Sequence, residues 1–67
     1  MENRVIVYTT TSEQEAYIVR DRLEAEGIDA MILDVKDHVS EVSGGFEIHV
    51  LKEQEDQAKL IVPQSAE

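Results

Sequence analysis

Two histidines set among carboxylates are the first place to look for chemistry in this chain. His38 follows Asp37 and lies near Asp34 and Glu41, and His49 stands two residues from Glu47. Imidazole and carboxylate together can ligate a metal or move a proton. A metal site needs three or four converging ligands. Asp37-His38 is a single dipeptide in an acid-rich chain, and no cysteine is present to complete a set. Ser12, Ser40, Ser43 and Ser65 lack the glycine-flanked elbow that activates a hydrolase nucleophile. Gly44-Gly45 has neither the lysine nor the following helix of a phosphate loop, and reads instead as a turn that tolerates positive φ. The expectation is a non-enzymatic protein with no metal and no cofactor.

Charge narrows the partners. Six basic and fifteen acidic residues give a formal net charge of −9. Arg4, Arg20, Arg22, Lys36, Lys52 and Lys59 are scattered rather than striped, so no basic footprint for nucleic acid exists. An acidic surface also repels anionic membranes. No run approaches the roughly 20 apolar residues of a membrane span, and the start Met1-Glu2-Asn3-Arg4 does not read as a secretory leader. The expectation is a cytoplasmic protein that binds neither nucleic acid nor membrane. Sixty-seven residues suffice for one domain, and 42% hydrophobic residues argue against disorder. A chain this short buries only about 60% of its unfolded surface, and without disulfides self-association is a natural support.

The elements that must position these residues follow from periodicity. Phe46, Ile48 and Val50 alternate with Glu47 and His49, which places the two polar side chains on one face of a strand, Phe46–Leu51. The β-branched run Asn3–Thr10 predicts a first strand. Ser12 with Glu15 has capping-box spacing, in which the hydroxyl accepts one free backbone N–H and the carboxylate reaches back to another. The helix it opens runs from about Glu13 to Glu26, with Ala16, Val19 and Leu23 as the core stripe and Gly27 as the stop. Ile18 and Ala25 lie off that stripe. Ile28–Val35 predicts a second strand, with Ile28, Ala30 and Ile32 on one face and Met31, Leu33 and Val35 on the other. Lys36–Gly45 is a connection longer than a hairpin requires. A second, acid-led helix begins at Lys52, carries Ala58, Ile61 and Val62, and meets Pro63, where a helix ends.

The order β-α-β-β-α predicts an α+β two-layer sandwich. A right-handed crossover sets the first two strands parallel, and the third inserts between them antiparallel to both. The result is a three-stranded antiparallel sheet of order 1-3-2 with both helices on one face, a truncated ferredoxin-like fold. Strands one and two become free edges. With Val5 and Val7 toward the helices, Arg4, Ile6 and Tyr8 point to the bare face, joined by Met31, Leu33, Glu47 and His49. An apolar patch edged by charge marks a partner site. Histidine is the side chain whose charge changes near neutral pH, so association through His49 would be pH-sensitive.

The run L-E-A-E-G-I-D-A at Leu23–Ala30, a strand ending Val50-Leu51 and an acidic stretch with Ala58 together resemble the small prokaryotic signal-transducing domains. The resemblance covers about Val5 to Val62. It implies a ferredoxin-like fold and a regulatory role akin to the nitrogen-regulatory P-II proteins, whose effector loop follows the second strand. Lys36–Gly45 holds the same place here and is far shorter. The functional expectation is a module that binds a protein partner or small effector through the bare face and this loop. Ile6, Tyr8, Met31, Leu33, His49, Asp37, His38, Gly44 and Gly45 are its candidate residues. The alternative is a structural homodimer that consumes the same face.

Overall fold

A computed structural model describes residues 3–35 and 45–63. The elements run β1 (Arg4–Thr10), α1 (Glu13–Ala25), β2 (Ala30–Val35), β3 (Gly45–Leu51), a short 3-10 turn (Lys52–Gln54) and α2 (Glu55–Ile61). The sheet has order β1-β3-β2 with β3 antiparallel to both neighbours. The α+β sandwich expected from the sequence is the one observed. The main boundaries that move are three: Ile28 lies before β2, just after the turn at Gly27; Gly45, expected in the connection, opens β3; and the acid-rich start of the second helix is a 3-10 turn rather than α-helix.

The core is small and continuous. Val19 and Leu23 of α1 meet Ile28 and Ala30, then Ile48 and Val50 of β3, then Ala58 and Val62 at α2. Leu23, Ile48, Val50 and Ala58 are fully buried. Because β3 contributes its even-numbered residues to this core, period two sends Glu47 and His49 to the opposite side.

Gly27 ends α1 with φ +84°. Ile28 N–H donates to the Leu23 carbonyl and Gly27 N–H to that of Glu24, both at 3.0 Å. This pairing is the Schellman arrangement, in which a left-handed residue satisfies the last helical carbonyls. It also packs Ile28 beside Leu23, so the stop signal and the core are one structure. Gln54 braces the turn from the other side of the chain. Its Oε1 accepts from Asp29 N–H at 3.0 Å and its Nε2 donates to the Gly27 carbonyl at 3.3 Å. Arg4 closes the same corner through an ion pair with Asp29 at 3.1 Å.

The start of α1 departs from the expected capping box. Ser12 Oγ accepts from Glu15 N–H at 3.1 Å, as the spacing predicts. The Glu15 carboxylate does not return to Ser12. It accepts from Tyr8 Oη at 2.6 Å and from Thr10 Oγ1 at 3.1 Å, while Thr10 Oγ1 takes the Ser12 N–H at 3.1 Å. A charged acceptor makes a stronger bond than a neutral one. Two hydroxyls at the end of β1 therefore outcompete the local backbone for it.

Candidate functional site: the bare face of the sheet

The face opposite the helices is laid out by register. Ile6 of β1 and Met31 of β2 both stand opposite His49 of β3, which makes one row across the sheet. Thr9 and Leu33 both stand opposite Glu47 in the next row, and Val35 stands opposite Gly45 beyond it. Ile6 is 47% exposed, Leu33 41%, Met31 39% and Val35 37%. Four apolar side chains thus share a surface that no element among the described residues covers.

At its centre His49 Nε2 lies 3.0 Å from Glu47 Oε1. The two are neighbours because strand residues two apart share a face. The pair supplies a charge and a hydrogen-bond donor or acceptor amid the apolar rows. Among the described residues, no group of three or more His, Cys, Asp or Glu side chains gathers as a metal site would require.

Tyr8 does not belong to this face. A β-bulge falls between Ile6 and Tyr8: Ile6 pairs with His49 and Tyr8 with Ile48, which leaves Val7 as the extra residue. One added residue reverses the alternation. Tyr8 therefore turns to the helix side, packs against the core and bonds Glu15. The carboxylate of Glu15, by accepting that bond, raises the Tyr8 phenol above its ordinary value of 10.0, and burial and charge add in the same direction. Strict period two misplaced this residue, because nothing in R-V-I-V-Y announces a bulge.

Of the remaining candidates, Ile6, Met31, Leu33 and His49 come together as expected. Gly45 opens β3 at the edge of the patch, opposite Val35. Asp37, His38 and Gly44 lie outside the described residues, as does the rest of the 36–44 segment. Val35 was missed as a site residue, although its place after Met31 and Leu33 in the alternation is the signal that finds it.

The architecture is a three-stranded split βαβ sandwich with its helices on one side of the sheet and, among the described residues, nothing over the other. The chain belongs to the family described as "Putative prokaryotic signal transducing protein", which matches it over residues 5–65. No curated protein and no solved structure matches the chain. No helix among the described residues is long and apolar enough to cross a membrane.

Proposed function

We propose that the chain is a non-enzymatic, cytoplasmic regulatory module that binds a protein partner through the bare face of its sheet. The observation that carries the reading is the shared exposure of Ile6, Met31, Leu33 and Val35 around the His49–Glu47 pair. Exposed apolar side chains on both flanks of a central polar pair fit an interaction surface better than a solvated one. The family description, a signal-transducing protein, fits a domain whose work is contact rather than turnover.

A photo-crosslinking residue placed at Leu33, and separately at Ile18 on exposed α1, tests this in cells. The expected result is a discrete adduct from position 33 that disappears with Met31→Asp. Adducts from position 18 alone would overturn the reading. An adduct of the chain with itself, matched by concentration-dependent sedimentation, would replace the partner with a second copy.

A further inference from the structure

We propose that the free edge of β2, with the groove between it and α1, docks an extended peptide segment of basic character, which joins the sheet as an added strand. This site is distinct from the bare face, although Met31 borders both.

The edges of the sheet are not equivalent. β1 is bulged at Val7, and a bulge is a device that spoils an edge for further pairing. β2 pairs with β3 in unbroken register from Ala30 to Val35. An unbroken strand keeps its outward N–H and C=O groups in step for another chain. Among the described residues nothing pairs with that edge.

Beside it lies a groove of about 400 Å³. Glu13, Tyr17, Arg20 and Glu24 line its helix side, and Ile32 and Asp34 its strand side. Spacings of four, three and four residues put the helix group on one stripe. Strand addition places alternate side chains of the incoming peptide in such a groove, where they set specificity, while main-chain bonds hold it.

Charge selects the occupant. Arg20 is engaged within α1: its guanidinium bonds Asp21 at 3.1 and 3.3 Å and lies 5.1 Å from the centroid of the Tyr17 ring. Glu13 accepts from the neutral Tyr17 hydroxyl at 3.3 Å, which leaves its negative charge in place. Glu13 and Glu24 stand about 16 Å apart along the helix, the reach of about five strand residues. The matching segment carries Lys or Arg at two groove-facing positions four apart, with an apolar side chain between them against Tyr17 and Ile32. A second copy is a poor occupant, because each chain carries −9 and edge-to-edge pairing would set the two carboxylate stripes near each other.

The test titrates isotope-labelled protein with the peptide Thr-Lys-Thr-Val-Thr-Lys-Thr and follows amide shifts. Expected are shifts along Ala30–Val35 and at Tyr17, an affinity that falls as salt rises, and roughly tenfold weakening in the Glu13→Lys, Glu24→Lys double variant. Glu24→Lys alone, at an exposed position where only the backbone carbonyl takes part in the C-cap, gives a smaller loss in the same direction. Equal binding by the peptide with Glu in place of Lys, or by one with alternate backbone nitrogens methylated, overturns the proposal. So do shifts centred on Ile6 and His49, which would instead support the bare face alone, and so does absence of binding.

Discussion

The phenol of Tyr8 donates to the Glu15 carboxylate at 2.6 Å, and this bond ties the end of β1 to the first turn of α1. Thr10 and Ser12 complete a closed set of bonds with the same carboxylate and its backbone N–H. The set holds the β1–α1 connection at a fixed angle, and so fixes how Ala16 and Val19 enter the core.

Tyr8→Phe removes the donor while it keeps the ring. The expected loss is about 1 kcal/mol of stability by urea denaturation, in the range for a partly exposed bond to a charged acceptor. Tyr8→Asp is expected to cost more, since it sets a second carboxylate beside Glu15. A stability loss in Tyr8→Phe indistinguishable from zero would show that the bond is replaced by water without cost.

The alkaline limb of stability follows from the same pair. The folded phenol binds its proton more tightly than the unfolded one. The stabilisation is thus complete below pH 10 and is lost as pH rises through the higher folded value. Denaturation midpoints measured from pH 8 to 11 should fall at the top of that range, and less so in Tyr8→Phe.

Gly27→Ala is expected to cost about 1 kcal/mol. A Cβ there would meet no atom within 4 Å, so the cost is conformational alone and comes from φ +84°. Gly27→Asn should recover part of it, because asparagine tolerates the left-handed region. Gly45→Ala is crowded for a different reason: its Cβ would stand 3.0 Å from the Thr10 carbonyl oxygen, so the backbone there must shift by a few tenths of an ångström. Thermal unfolding of the three variants separates strain from collision.

Leu23→Ala should remove about 3 kcal/mol. A domain of this size holds roughly 3–10 kcal/mol in all, so the variant is expected to be partly or wholly unfolded by circular dichroism at 37 °C. Leu33→Asp, on the bare face, should leave unfolding within about 0.5 kcal/mol of the parent. The contrast checks that the two faces of the sheet serve different ends.

Much of this was written plainly in the residues. Alternation in β3 fixed which side chains meet the helices, and the Gly27 stop and the Ala16–Val19–Leu23 stripe followed from local rules. The bare face was legible wherever the ladder is regular, which is why Met31, Leu33 and His49 fell where expected. Tyr8 was not legible, because a bulge is decided by how β1 seats against β3 and α1 and leaves no residue signature. The partner of Glu15 was hidden for a similar reason, since spacing within a helix start says nothing of hydroxyls delivered by the preceding strand. The stripe Glu13–Tyr17–Arg20–Glu24 was countable from its spacing, but its meaning depends on β2 lying at an edge.

The extra residue at Val7 has a consequence for how the chain can change. It lets β1 turn Val5, Val7, Tyr8 and Thr10 inward while Ile6 and Thr9 stay out, which no evenly alternating strand can do. A single-residue deletion there would leave an evenly alternating ladder, with Val5, Tyr8 and Thr10 still inward and Ile6 and Thr9 still outward, and would remove only the Val7 side chain from beside the core. Length is therefore more negotiable at this one position than within the unbroken β2–β3 ladder, where a lost residue would reverse a face. Lineages of the domain should accept a gap at position 7 far more readily than one between Ala30 and Val35.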